Sequence, residues 1–282
     1  MSNRTRRPAA VAGMFYPRDP LELKQLIEQS FRDQHFGPGK MPPSSMQRRI
    51  YGIVSPHAGY VYSGAVAANG FYEVSSMDFD NVVMIGPNHY GIGSVAATMH
   101  DGVWETPLGQ IEINSNLALE ISKNSGIIDF DNFAHSRDHC LEVQIPFLQY
   151  VKENIFKIIP IVLIMQDKET AIDIGKSIAQ SALDTNTLLI ASSDFTHYES
   201  NSDAYRKDNE LINAILSLDI SKFYAVLQKL VVSACGYGAI ASVMKAVKEL
   251  GATKGELLKY ATSGDITGDM TAVVGYSSII FV

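Results

Sequence analysis

Residues Asn81 to Gly91 read NVVMIGPNHYG, and this stretch decides the class of fold. NVVMI is short, evenly apolar and partly β-branched, the pattern of a strand covered on both faces. Pro87 ends it and Gly91 permits a turn. A turn needs nothing more, so Asn88 and His89, held between them, are additional. Polar side chains just beyond a buried strand are where sites collect in sheets of this kind.

The same pattern recurs in kind along the chain. RIYGIVS runs into PHAGYVYSG and the small-residue helix AVAANGFYEV; IFKIIPIVLIM runs into the helical QDKETAIDIGKSIAQSAL; TLLIASS runs into DFTHYES. LQKLVVSA reads as another apolar run, leading to CGYG and the helix AIASVMKAVKELG, and TAVVGYSSIIFV closes the chain as a strand. Asp19-Pro20 caps and opens a first helix, with Leu23, Leu26, Ile27 and Phe31 as its apolar stripe. The loop HFGPGKMPPSS follows it. Short apolar runs alternating with helices predict an α/β fold, with a central mostly parallel or mixed sheet flanked by helices on both faces. No composition shift divides the chain, so residues 1–282 read as one domain.

The totals exclude several classes. With 282 residues and 46% hydrophobic content, the chain can bury a large core. Its net charge of -7 argues against nucleic acid as the main partner, since that binding needs Lys and Arg to neutralise phosphates. The basic opening NRTRR is short and reads as a solvated end. Two cysteines make no disulfide framework, and no stretch has the length of a membrane span or a signal core. A soluble cytoplasmic protein is expected. No P-loop, G-x-G-x-x-G or G-x-S-x-G is present, so no nucleotide cofactor is expected, and there is no C-x-x-C or H-E-x-x-H for a familiar zinc site.

The remaining candidates lie after apolar runs. His57 in SPHAGYVYSG and His89 in GPNHYG each read alone as turn-packing histidines; together, at equivalent positions of neighbouring strands, they point to a shared metal site. Cys235 in SACGYGAI precedes a helix, where the positive end of the dipole would lower its thiol pKa; the competing reading is a small residue in a tight turn. Asp194 and His197 in SSDFTHY would share one side of a helical turn, with Asp194 orienting His197 for proton transfer or metal binding. His139 and Glu142 in DHCLEVQ form an H-x-x-E pair, and Glu142 could reach a metal or anchor a histidine. Cys140 reads as packing on the same helix, and His35 and His100 carry no role. Two histidines plus a third donor make a facial site with open positions, and a soft donor would favour iron, copper or zinc over magnesium.

The ordered motifs RPAAVAGMFYP, SPHAGYVYSG, IGPNHYG, ETPLG, DHCLEVQIPFL, SSDFTHY, ACGYGAI and SGDITGDMTAVVGY resemble the Memo family, the protein B group of AmmeMemoRadiSam systems. The resemblance spans Arg7 to nearly the C-terminus. It implies a fold similar to the class III extradiol dioxygenases, and a metal site of His57, His89 and Cys235, where the dioxygenases have an acidic residue in place of the cysteine. It implies Fe(II) or Cu as the metal, with Zn also accommodated. It places Asp194 and His197 as acid/base groups bordering the site, and His139, Glu142, Tyr60 and Asn88 in the cleft around it. Family association further implies AMMECR-type and radical-SAM proteins as partners.

The first functional expectation is therefore metal-dependent redox chemistry on a small molecule. The alternative is a non-catalytic module binding a phosphotyrosine-type peptide or other anionic or aromatic ligand through Phe15, Tyr16, Tyr60 and Tyr62. A third is a thiol hydrolase using Cys235 with a histidine base.

Overall fold

The computed structural model describes residues 5–43, 48–183 and 185–282. The first residues of the basic opening, the final Ser44-Ser45 of the first loop and Asp184 lie outside them. Asn81–Pro87 is a strand with every residue buried. Its side chains alternate between two cores. Val83 and Ile85 join one apolar cluster, while Val82 and Met84 join another on the opposite face. A strand covered on both sides needs no polar face, which is why its sequence is a continuous apolar run.

In chain order the elements begin β1 (Arg6–Arg7), α1 (Pro20–Arg32), β2 (Gly52–Ser55), α2 (Tyr60–Val74), β3 (Asn81–Pro87), β4 (Ala96–Thr98), β5 (Val103–Thr106) and β6 (Gly109–Glu112). They continue α3 (Ser115–Asn124), β7 (Asp129–Phe130), α4 (Ile145–Lys152), β8 (Lys157–Leu163), α5 (Lys168–Ala182), β9 (Thr187–Ser192), β10 (His197–Glu199) and α6 (Asn201–Leu216). The last are α7 (Ile220–Leu230), α8 (Tyr237–Glu249), β11 (Gly255–Thr262), α9 (Ser263–Thr267) and β12 (Val273–Phe281).

The main sheet is mixed, in the order β10-β12-β2-β9-β3-β8-β4-β7, with β11 also on β12. Its centre, β2-β9-β3-β8, is wholly parallel. β12 and β4 flank this centre antiparallel to their neighbours. A small sheet, β1-β5-β6, ties down the N-terminus. Helices α3, α5, α6 and α8 pack on one face of the main sheet, and α1, α2 and α4 on the other. The fold is α/β with both faces covered, as the apolar runs predict. Helix α1 starts where the sequence places it: Asp19 is the N-cap, accepting from the backbone of Leu21 and Glu22.

Three local expectations fail. LQKLVVSA is not a strand. Leu227–Leu230 is the last turn of α7, closed by Val231 at φ 50°, and a loop leads on to Cys235. The apolar residues there cover the sheet from a helix, a pattern short runs share with strands. SSDFTH is no helical turn either: His197 begins the short strand β10, paired antiparallel to β12. And the segment of His139 and Cys140 is a turn leading into a single 3-10 turn, Glu142–Gln144, before α4 begins.

Candidate metal centre

Because β2, β9, β3 and β8 are adjacent and parallel, their carboxyl ends share one rim. His57 lies two residues past β2, Asp194 two past β9, His89 two past β3 and Gln166 three past β8. The two histidines are not on neighbouring strands, as the sequence suggests, because β9 runs between theirs. That intervening strand end supplies what holds His57.

The tautomer of His57 follows from its partners. Gln144 Nε2 donates to the Pro56 carbonyl at 3.0 Å and to Ser192 Oγ at 2.9 Å. The single hydroxyl hydrogen of Ser192 goes to the Cys140 carbonyl at 2.6 Å. Ser192 Oγ, 3.0 Å from His57 Nδ1, is left only as an acceptor. Nδ1 therefore carries the ring proton and Nε2 presents a lone pair, 3.1 Å from Cys235 Sγ. Burial, together with the neighbouring His139 and His89, holds the His57 pKa well below the usual imidazole value, so the ring is neutral.

His89 is oriented by another route. The Asp138 carboxylate accepts its backbone N–H at 2.6 Å and faces its Nδ1 at 3.0 Å. Burial opposes ionisation of Asp138, but hydrogen bonds from His89 and the Cys140 backbone outweigh it and keep the carboxyl well below its ordinary range. An ionised carboxylate only accepts, so Nδ1 of His89 is the donor and Nε2 is the nitrogen left to meet a ligand. Asn88 shapes the loop: its side chain accepts from the backbone of Tyr90 and Gly91 and donates to the Ile92 carbonyl. Gly86 permits the approach of the Asp138 segment, since a Cβ there would stand 2.6 Å from Cys140 Sγ.

Cys235 arrives from the loop before α8. Gln166 pins that loop, donating to the Cys235 carbonyl at 2.9 Å and accepting from Gly238 N at 2.8 Å. Gly236 lets it lie against β9, because a Cβ there would stand 2.5 Å from the Ser192 carbonyl. The sulfur accepts the backbone N–H of Asp194 at 3.3 Å. Burial and the Asp194 carboxylate raise the thiol pKa, so the expected lowering by the helix end is overridden. The thiol can donate to His57 Nε2 at 3.1 Å or to the Asp194 carbonyl at 3.6 Å.

His57, His89 and Cys235 each bring a ligand atom within 4.8 Å of the other two. Their rings and sulfur form one open face: His57 is buried, Cys235 half-buried, and the His89 side chain 29% exposed. Two imidazoles and one sulfur could together hold a metal ion, and suit a softer one better than a hard ion that prefers all-oxygen ligands. An ion there takes the place of the thiol proton.

The family model for Memo-like proteins matches residues 7–280. The chain belongs to the Memo-like family. It is 51% identical to a MEMO1 family protein of Nitrosopumilus maritimus, over 98% of this chain and 99% of that one. It is also 46% identical to one from Methanopyrus kandleri, covering 98% of each, and 45% identical to one from Methanocaldococcus jannaschii, covering 99% of each.

The other sequence candidates of this Memo-like chain sort differently. His139 stands at the site: its ring stacks on His89 at 4.4 Å, lies tilted by 35° against Phe15 at 4.4 Å, and meets His57 edge-on at 5.3 Å. Burial and the nearby His89 lower its pKa to about 4. Asp194 is buried and accepts the His57 backbone N–H at 2.8 Å, while burial lifts its pKa to about 6. It does not orient His197, whose Nδ1 faces the carbonyls of Phe195 at 2.6 Å and Ser233 at 3.0 Å. Carbonyls only accept, so Nδ1 of His197 carries a proton and Nε2 is the nitrogen left for other partners. Glu142 reaches neither metal nor histidine. It is fully buried and accepts from Arg7, the backbone of Ala10 and Val11, and Tyr16. Tyr60 is core rather than cleft, donating to the Val143 carbonyl at 2.7 Å.

Tyr16 and Tyr60 are thus withdrawn from the four expected peptide contacts, leaving Phe15 against His139 and an exposed Tyr62. Cys140 is packing, as expected, but in a turn. Sequence reasoning missed Asp138, Ser192, Gln144 and Gln166. Asp138 had one signal, its place beside His139 in a segment that already carried candidates. The others look like ordinary strand-end and helix polar residues. Among the described residues, no helix is long and apolar enough to cross a membrane.

Proposed function

We propose that this Memo-like protein is a metal-dependent redox protein acting on a small molecule, with Fe(II) or Cu at His57, His89 and Cys235. One observation carries the reading: two imidazole Nε2 lone pairs and one sulfur converge on a partly exposed face, each fixed from behind. The bound ion would supply one-electron redox capacity and open positions. The chain supplies the rest. The Asp194 carboxylate and backbone hold His57 and Cys235 in place. His197, fixed by two carbonyls, accepts or returns a proton at Nε2. The rings of His139 and Phe15 wall one side and limit water. Zn fits the donors but would leave the site without redox capacity.

On the same reading the protein works in the cytoplasm, alongside AMMECR-type and radical-SAM proteins. The test is anaerobic purification with elemental analysis, followed by oxygen uptake of the loaded protein. Retention of iron or copper that Cys235→Ser abolishes, with uptake lost in His57→Ala and slowed in His197→Gln, is the expected result. A wild-type chain that retains neither metal, or takes up no oxygen when loaded, overturns the proposal. Saturable binding of a phosphotyrosine peptide that survives chelation would favour the binding module instead.

A further inference from the structure

His89 belongs to two ligand clusters, not one. Besides His57 and Cys235, it lies with Asp138 and His139 in a group whose ligand atoms are all within 4.8 Å of one another. One atom, Asp138 Oδ1, is 3.0 Å from His89 Nδ1 and 3.8 Å from His139 Nδ1. Ligands bound at about 2.1 Å and set at right angles to tetrahedral angles sit about 3.0–3.5 Å apart, so these spacings fit one coordination sphere with little movement. Backbone N–H groups of His89 and Cys140 fix the carboxylate. His139 is held by ring contacts with His89, Phe15 and His57; among the described residues neither of its ring nitrogens makes a hydrogen bond, in contrast to the Nδ1 atoms of His57 and His89. The side chains of His89 and His139 are 29% and 17% exposed, so an ion has a path in.

We propose that His89, Asp138 and His139 form a second cation station, selective for hard divalent ions, and that it is occupied in alternation with the thiolate site. Two nitrogens and a carboxylate oxygen suit Mn²⁺ or Fe²⁺, whereas the sulfur of the first site suits softer ions. The alternation follows from the place of His89 in both clusters: an imidazole that keeps one ring proton offers one lone pair. With the proton on Nδ1, as hydrogen-bonded here, the Nε2 lone pair serves His57 and Cys235. With the proton moved to Nε2, the Nδ1 lone pair serves Asp138 and His139, and the first site loses a ligand. The second station stands whether or not the first carries redox chemistry.

The test uses the full chain, metal-free, with Mn²⁺ alone as probe and its free-ion paramagnetic signal as readout. Cys235→Ala removes the sulfur without offering a new oxygen, and is expected to bind one Mn²⁺ per chain. Adding His139→Phe keeps a ring against Phe15 and His89 but removes both nitrogens; it should weaken Mn²⁺ by about tenfold or more. Adding His57→Ala instead should weaken Mn²⁺ by less than His139→Phe does, since His57 is no member of this cluster. Wild-type protein filled with one equivalent of Zn²⁺ should no longer take up Mn²⁺. No Mn²⁺ binding by Cys235→Ala, or loss with His57→Ala but not with His139→Phe, overturns the station. Simultaneous binding of Zn²⁺ and Mn²⁺ overturns the alternation. The thiolate site is read separately, from the sulfur-to-metal absorption of the Co²⁺ form, so its failure is distinguishable.

Discussion

The carboxylate of Asp138 grips His89 twice, taking its backbone N–H at 2.6 Å and facing its Nδ1 at 3.0 Å. The first bond sets where the loop places the residue, and the second sets which ring nitrogen faces the ligand cluster. Asp138→Asn removes the charge and lets an amide N–H turn toward the ring. Affinity of the thiolate site for Zn²⁺ or Co²⁺ is expected to fall about 10–100-fold, the range for partners that orient metal-bound histidines. Calorimetric titration of metal-free protein measures this, and unchanged affinity would show that the pairing does not fix the ring.

Ser192 does the same for His57 from the end of β9. In Ser192→Ala the Nδ1–H loses its acceptor and Gln144 loses one of its own. A similar fall of about 10–100-fold is expected. Nitrogen NMR of the metal-free protein should show mixed His57 tautomers in the variant and one in the wild type.

Glu142 should matter to stability rather than to metal. Its pair with Arg7 is sealed, the side chains being 0% and 4% exposed. Arg7 also donates to the carbonyls of His135 and Asp138, so the N-terminal segment and the Asp138 segment are held as one. Glu142→Gln leaves a buried guanidinium without its counter-charge, at a cost of about 3–5 kcal/mol. Denaturant unfolding is the measurement. A shift below about 1 kcal/mol would mean that water replaces the lost charge.

His135 sets an acid limit. It is fully buried, and among the described residues neither ring nitrogen makes a well-formed hydrogen bond, the Ala97 backbone offering only a weak one. Burial first, then the Arg7 charge, lowers its pKa from 6.5 to about 3. The folded chain therefore refuses a proton that the unfolded chain accepts below pH 6.5. Its contribution is complete above that value and is lost as pH falls toward 3. At pH 5 the loss is about 2 kcal/mol, from about 1.4 kcal/mol per pH unit. His135→Phe should flatten the dependence of melting temperature between pH 6.5 and 4; an unchanged slope would assign it to other groups.

The sequence by itself determined the α/β class, the first and later helices, and the placing of His57 and His89 just past buried strands. Those features are periodic or local: an apolar run, a cap, a proline stop. It also placed Asp194 and His197 after a strand, but it misread their partners. Only the tertiary structure decided that β9 runs between the two histidine strands, and that Ser192 and Asp138 set their tautomers. It also turned Glu142 toward Arg7 rather than a metal, and brought Cys235 to His57 across 178 residues of chain. The reason is physical. Secondary structure depends on neighbours a few positions away, whereas a hydrogen-bond partner or a coordination sphere depends on which distant segments the packed sheet brings to one rim. Cys235 shows the difference in one residue: the nearby helix end would lower its pKa, but the burial and the carboxylate that the fold supplies raise it.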